Sequence, residues 1–111
     1  MTKRQEILKG TLDLLILHSL SHGAMHGYGV ARWIEEQTEG TLVIEEGSLY
    51  PALYRMEKRG WVKPRWGTSE NNRKAKYYEL TVRGRKRVQL EADNWARVAR
   101  AIGKVVEEGT A

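Results

Sequence analysis

One stretch of the sequence, residues 46–81, constrains the fold more than any other: EGSLYPALYRMEKRGWVKPRWGTSENNRKAKYYELT. Its first part repeats apolar residues at helical spacing. Its second part holds two runs rich in aromatic and β-branched residues, separated by a polar turn. A helix followed at once by a β-hairpin requires a mixed α and β domain, because a lone hairpin cannot bury its own apolar face.

The first part of this stretch predicts a helix from Gly47 or Ser48 to Lys58. Ser48 is the predicted N-cap. Pro51 then lies in the first turn, where its missing N–H would have no partner within the helix. The inward face of the helix repeats at i, i+4 and i+7, with Leu49, Leu53 and Met56.

The second part predicts two strands, Trp61–Trp66 and Lys76–Leu80, which pair as a hairpin. The segment Gly67–Asn72 between them can supply the positive φ angles that the turn needs. Pro64 indicates that the first of these strands lies at an edge of the sheet, where a proline forfeits no ladder hydrogen bond.

Most of the remaining chain is predicted to be helical. Helices are expected from about Ile7 to Leu20 and from about Tyr28 to Thr38, with a turn at His26–Gly29 before the second. The segment Thr41–Ile44 is short and β-branched, which is typical of a short strand or of an extended link.

Thr81 is predicted to cap a long last helix that ends near Glu108. About 25 residues at a rise of 1.5 Å each give a rod near 38 Å long. One small domain could cover only part of such a rod, so we expect a partner helix. Its apolar residues alternate by four and three, which is the spacing of a heptad seam: Val88, Ala92, Trp95, Ala99, Ile102 and Val106.

These elements together predict a mainly α, α+β domain of the winged helix-turn-helix class. The domain would have a two-stranded β wing and a long C-terminal dimerisation helix. We expect residues 1–81 to form the DNA-binding winged helix-turn-helix and residues 82–111 to form the dimerisation helix, in one compact unit overall. A domain of this class places one helix in the DNA major groove and its charged loop on the adjacent backbone.

The positive charge of the chain is concentrated on and just after the hairpin. Residues 55–87 hold 12 of the 19 Lys and Arg residues but only 3 of the 14 Asp and Glu residues. This local excess favours an acidic polymer as partner, and double-stranded DNA is the leading interpretation. The alternatives are a solvated basic surface and a winged-helix protein-interaction module that binds an acidic protein partner.

The residues predicted to bind DNA lie on the second helix, the third helix and the wing. Hydroxyl groups reach phosphates, tyrosine and arginine side chains can also touch base edges, and the wing cations suit phosphates or the minor groove. For Tyr50 and Tyr54 the alternative is that both only pack against the protein. The full set is Tyr28, Ser48, Tyr50, Pro51, Tyr54, Arg55, Asn71, Asn72, Arg73, Lys74 and Lys76.

Other function classes find little support. The chain has no cysteine, which excludes disulfides and thiol nucleophiles and fits a reducing cytoplasm. No apolar run reaches the roughly 18 residues that span a bilayer, so no membrane partner is expected. His18, His22 and His26 are spaced by four, but Gly23 ends the helix between them and no fourth ligand is evident. We therefore expect no metal, no cofactor, no catalytic residues and no enzymatic activity.

Four segments of the chain resemble the PadR family of bacterial transcriptional regulators, in its shorter type with a single C-terminal helix. They occur in the family's order and cover nearly the whole chain, and the third is quite specific. The resemblance implies a homodimeric winged-helix repressor that binds a pseudo-palindromic operator. The segments are GTLDLLILHSL (Gly10–Leu20), HGYGV (His26–Val30), EEGSLYPALYRMEKRGWV (Glu45–Val62) and RKAKYYELTVRGR (Arg73–Arg85).

The resemblance also implies that the C-terminal helix forms the dimer. We predict that Leu8 and Leu12 of the first helix join the heptad seam at this interface. Trp95 has two interpretations, an aromatic in the dimer core or one of two indoles that flank a small planar aromatic ligand. Family members that sense drugs stack such compounds between paired tryptophans, and the segment Asn94–Val98 is similar to that region.

Overall fold

The computed structural model describes the backbone of residues 2–68 and 70–110 and the side chains of residues 11–68 and 70–107. No helix in these ranges is long and apolar enough to cross a membrane. The predicted winged helix-turn-helix class is confirmed. The elements follow in the order α1 (Thr2–Leu20), β1 (Met25–His26), α2 (Gly27–Gln37), α3 (Glu46–Lys58), β2 (Val62–Thr68), β3 (Lys74–Leu80) and α4 (Val82–Thr110).

The apolar core lies between the first three helices and the base of the sheet. The stripe predicted for α3 is confirmed, because Leu49, Leu53 and Met56 are fully buried. Residues spaced by four on α1 face them, and the strand residues close the other side. The core consists of Leu12, Ile16, Leu17, Leu20, Val30, Ile34, Leu49, Ala52, Leu53, Met56, Val62, Tyr78 and Leu80.

The sheet has three strands in the order β1-β3-β2, so the predicted hairpin is present and a third strand joins it. β1 pairs Met25 with Tyr78 and His26 with Tyr77, where the sequence predicted no strand and a turn starting at His26. Two residues are too few to show a strand pattern, and they become a strand because β3 offers them an unpaired edge. β2 forms the other edge of the sheet, as Pro64 predicted.

The segment Thr41–Ile44 has no assigned strand and links α2 to α3 as an extended segment. The helices and strands otherwise lie where the sequence predicted them, with α1 five residues longer at its start and β3 two residues longer. Boundary differences of this size are expected, because helix and strand ends carry few side-chain contacts.

The predicted cap of α3 is wrong. The helix begins at Glu46, and its N-cap is Glu45 in extended conformation, with no side-chain hydrogen bond at the cap. The Ser48 N–H instead donates to the Glu45 carbonyl at 3.0 Å. Pro51 therefore lies inside the helix rather than in its first turn. A proline there leaves the carbonyl of Gly47, an exposed residue, without its usual helical donor.

The predicted cap of α4 is confirmed. The Gly84 N–H donates to Thr81 Oγ1 at 3.0 Å, and Thr81 Oγ1 donates to the Gly60 carbonyl at 2.6 Å. A Cβ at Gly84 would overlap the carbonyl oxygen of Trp61. Gly84 therefore allows the start of α4 to pack closely against Trp61, which follows the end of α3.

The start of α2 packs directly against α3. His26 caps α2, because its Nδ1 accepts the Gly29 N–H at 2.9 Å. The next residue, Gly27, is buried under the ring of Tyr50. A Cβ at Gly27 would lie 2.7 Å from Tyr50 Cε1 and 2.8 Å from its hydroxyl oxygen, so the ring can occupy this position only over a glycine.

We predict that Gly27→Ala lowers the free energy of unfolding by about 1–3 kcal/mol, because the added methyl group overpacks the contact with Tyr50. In a Tyr50→Ala background the same change should cost little, since the ring that it strikes is gone. Urea denaturation of the four variants measures this coupling. Gly47→Ala is the matched control, since a Cβ there meets nothing within 4 Å. Equal costs of Gly27→Ala in both backgrounds would show that the contact is not the cause.

Candidate nucleic-acid interface

The outer face of α3 is aromatic. Tyr50 and Tyr54 lie opposite the buried stripe, with 44% and 59% of their surface exposed. Ser48 and Pro51 are also exposed on this helix. Lys58 Nζ lies 5.0 Å from the centroid of the Tyr54 ring, so the exposed aromatic face carries a positive charge at its end.

Tyr50 keeps its proton under physiological conditions. Its partial burial raises the pKa of the phenol first of all, and the nearby Glu46 and Tyr78 raise it further. A neutral phenol has an O–H to donate and an oxygen to accept. The Tyr50 hydroxyl therefore presents a hydrogen-bond donor, which suits a phosphate oxygen or an acceptor on a base edge.

Arg55 does not share the outward face that the sequence predicted for it. Its Nη2 donates to Asp13 Oδ1 of α1 at 2.9 Å, and both side chains are largely buried. Asp13 interrupts the apolar face of α1 and loses water there. The charge-assisted hydrogen bond from the Arg55 guanidinium compensates the desolvation of this carboxylate, and Arg55 therefore turns toward α1. Arg55 thus joins α3 to α1.

Lys76 joins the wing to α3. Its Nζ lies 3.4 Å from Glu57 Oε1 and 5.2 Å from the centroid of the Tyr78 ring. Burial lowers the pKa of Lys76, but the charges of Tyr78 and Glu57 and their hydrogen bonds raise it by more, so that it lies above its usual value. Lys76 therefore remains a cation, and part of its charge is balanced by Glu57.

The turn of the wing carries four of the predicted residues together. Asn71, Asn72, Arg73 and Lys74 are all exposed. Asn72 has a φ of 59°, the left-handed conformation that asparagine tolerates and that the turn requires. This end of the hairpin therefore projects amides and cations into solvent.

Tyr28 at the start of α2 extends the same surface. Its side chain is exposed, and the Arg32 guanidinium lies 5.9 Å from its ring centroid. Gly27 beside it contacts Tyr50, and Lys76 of the wing reaches Glu57 of α3. The start of α2, the outer face of α3 and the wing are therefore contiguous.

Two exposed side chains on this surface were not predicted. Lys58 extends over Tyr54, and Trp66 on β2 has 58% of its surface exposed with Lys74 Nζ 4.9 Å from its ring centroid. The alternation of side chains along β2 could have identified Trp66. Trp66 lies on the same strand face as the buried Val62, but it lies beyond the part of the strand that the core covers.

A second surface lies on α4, where the predicted seam divides into two parts. Val88 packs against the chain's own core, and Ala92 and Ala99 are half-buried. The larger apolar residues on this side of α4 are exposed: Trp95, Val98, Ile102, Val105 and Val106.

Of the two α1 residues predicted at the dimer interface, the structure describes the side chain of Leu12 alone. Leu12 is buried in the core of its own chain, with only 8% of its surface exposed, so it offers little area to a partner. The side chain of Leu8 lies outside the described residues.

The histidines do not form a metal site among the described side chains, which include no group of three potential ligands in reach of one ion. The His18 and His22 rings lie 5.8 Å apart, and the His22 ring packs 4.9 Å from Trp33. His26 is used as the cap of α2.

Comparison with known proteins places this geometry in a family. The model of the transcriptional regulator PadR-like family matches residues 16–90. A transcriptional regulator from Clostridium thermocellum is 32% identical, with a TM-score of 0.82 over 91% of this chain and 95% of that one. A PadR-like transcriptional regulator from Bacillus cereus is 27% identical, with a TM-score of 0.77 over 91% of this chain and 96% of that one.

A sequence relative from Lysinibacillus sphaericus, known only as uncharacterized protein X, is 29% identical over 94% of this chain and 95% of its own length. The match of the family model spans the helix-turn-helix, the wing and the start of α4, which are the elements that build the surface described above. The chain belongs to the PadR-like family of transcriptional regulators, and it is therefore a DNA-binding regulator.

Proposed function

We propose that the chain is a sequence-specific repressor that acts in the cytoplasm as a homodimer on a pseudo-palindromic operator in double-stranded DNA. The observation that carries this proposal is the exposed Tyr50 and Tyr54 face of α3 beside a cationic wing. Transcriptional regulators are not enzymes, and no catalytic residue or cofactor enters the proposal. A surface that pairs an aromatic helix face with a basic hairpin favours DNA over an acidic protein partner.

In this proposal α3 enters the major groove. Tyr50 and Tyr54 contact base edges and thymine methyl groups, Ser48 donates to a phosphate, and Pro51 packs against the sugar-phosphate backbone. Tyr28 contacts the backbone from the start of α2. The exposed end of the wing, with Asn71, Asn72, Arg73 and Lys74, contacts phosphates or the minor groove.

Arg55 and Lys76 support this interface by holding its parts together. The Arg55 pair with Asp13 fixes the rotation of α3 on α1, and the Lys76 pair with Glu57 fixes the wing beside α3. Lys76 also adds positive charge near the backbone, part of which Glu57 balances. The main role of both residues in this proposal is to position α3 and the wing, and direct contact with DNA is a secondary role.

The dimer in this proposal forms through the exposed stripe of α4, including Trp95, Ile102 and Val106. An exposed apolar stripe of this length is unfavourable in water and is covered when a second α4 packs against it at heptad spacing. Residues 1–81 then form the DNA-binding unit and residues 82–111 the dimerisation helix. Two such units can read two half-sites about one helical turn apart.

DNA binding is tested with a duplex from the promoter region upstream of the coding gene, compared with a random duplex. We expect preferential binding to the upstream DNA, and an affinity that falls steeply with salt. Arg73→Ala should weaken binding to both duplexes alike. It should also reduce the slope of log affinity against log salt concentration by about 0.9 for each phosphate that is no longer neutralised. Tyr54→Ala should instead weaken binding roughly tenfold on the operator alone, since base contacts carry sequence preference.

Fluorescence anisotropy with labelled duplexes measures these affinities. Equal binding to both duplexes, or binding that does not change with salt, would contradict the proposal. A run-off transcription assay then distinguishes the repressor from an activator, because a repressor lowers the transcript when it occupies the operator.

The dimer is tested with Ile102→Asp. The wild type should sediment as a dimer at micromolar concentration, and the aspartate should give a monomer because it places a charge in the apolar seam. Leu90→Asp is the matched control, since Leu90 is also exposed but lies about 140° around α4 from Trp95. A monomeric wild type, or two variants that dissociate equally, would argue against this seam.

We also propose that Trp95 binds a small planar aromatic effector at the dimer axis. Its indole is 49% exposed in the single chain and lies in the middle of the predicted heptad seam. Two symmetry-related indoles could stack on a flat ligand. Titration with a planar aromatic cation such as ethidium should quench tryptophan fluorescence in the wild type and much less in Trp95→Ala. Equal quenching in the two proteins would remove Trp95 from the site.

A further inference from the structure

Trp66 is a large apolar side chain on the wing that stays mostly exposed. It lies on the edge strand β2, and more than half of its surface is exposed. Burial of a tryptophan is a large source of binding free energy, and tryptophan is enriched among residues that dominate interfaces. An indole that is exposed at an edge strand next to cations therefore indicates a binding surface.

The strand register shows which way Trp66 faces. Trp66 lies opposite Lys76 in the β2–β3 ladder, so their side chains share one face of the sheet. On this face Lys76 Nζ reaches Glu57 of α3. The indole of Trp66 is therefore on the side of the wing that faces α3, which is the side of the exposed tyrosines.

The two faces of the wing differ in charge. On the face away from α3, Lys63 and Arg65 lie 3.6 Å and 3.8 Å from the carboxylate oxygens of Glu79. On the Trp66 face, the Lys74 ammonium lies 4.9 Å from the indole centroid, and no carboxylate among the described side chains pairs with it. Lys63 and Arg65 thus share one carboxylate on the far face, whereas the Lys74 cation beside the exposed indole has no carboxylate partner among the described side chains.

We propose that Trp66 and Lys74 together form a minor-groove contact that flanks each half-site. This inference rests on the proposed DNA binding and deepens it. The flat indole packs on deoxyribose and base edges, and its N–H can donate to the acceptors that the minor groove presents. The Lys74 ammonium, held over the ring, bonds the adjacent phosphate. DNA fits this surface better than an acidic protein does, because a flat ring beside a cation matches a sugar and its neighbouring phosphate, and none of the described carboxylates pairs with Lys74.

The two side chains then contribute differently to the salt dependence of binding. Packing of an indole releases no counterions, whereas each phosphate contact releases about one. Trp66→Ala should weaken operator binding roughly tenfold and leave the salt slope unchanged, as expected when an aromatic ring no longer packs on the DNA. Lys74→Gln should reduce the slope by about 0.9 for each phosphate that it leaves without a cation. Trp66→Phe should retain most of the affinity.

The experiment measures operator affinity of the full-length protein at four or more salt concentrations, with Lys63→Gln as the matched control on the opposite face. Lys63→Gln should reduce the slope less than Lys74→Gln does, since Lys63 pairs with Glu79 on the face of the wing away from α3. If wild type does not bind the operator, the proposed function itself fails. If wild type binds and Trp66→Ala binds equally well, only the wing contact is wrong.

Two further outcomes would also overturn the wing contact. A Trp66→Ala variant with a reduced salt slope would mean that the ring acts only by placing the Lys74 charge. A variant that sediments with a changed oligomeric state and keeps its operator affinity would mean that Trp66 contacts another copy of the chain. Melting curves of Trp66→Ala and Trp66→Phe should match wild type, because the exposed ring contributes nothing to the core.

Discussion

The burial of one stripe of α3 decides where the rest of the functional surface lies. Leu49, Leu53 and Met56 are fully enclosed, and each would cost roughly 2–5 kcal/mol if it were truncated to alanine. The helix therefore has no freedom to rotate about its axis. Tyr50 and Tyr54 lie off this stripe and stay 44% and 59% exposed, and the ring of Tyr50 also packs over Gly27 at the start of α2.

The same reasoning orients the wing. Val62, Tyr78 and Leu80 at the base of the hairpin are buried, so one face of the sheet is committed to the core. Side chains alternate along a strand, and the outer part of that face consequently carries Trp66 and Lys76. The core residues at the base therefore decide that the exposed indole, rather than the cations paired with Glu79, faces α3.

Sequence reasoning failed where a side chain found a partner far away in the chain. Arg55 was expected beside the tyrosines, but Asp13, 42 positions earlier, holds it against α1. No strand was expected at β1, but the free edge of β3 recruits its two residues. Leu12, which is predicted at the dimer interface, is packed in the chain's own core, and its place at an interface stays a prediction. None of these partners is visible in a local pattern, because each depends on how separate elements pack.

The sequence by itself determined the helix periods, the hairpin and the cap at Thr81, since these depend on residues a few positions apart. It also determined the inward stripe of α3, because helical geometry converts spacing directly into direction. Only the tertiary structure decided that α3 starts at Glu46, that Gly84 permits close contact with Trp61, and that Lys76 spans from wing to helix. Those features are contacts between elements, and their distances are set by the packed core rather than by any local run of residues.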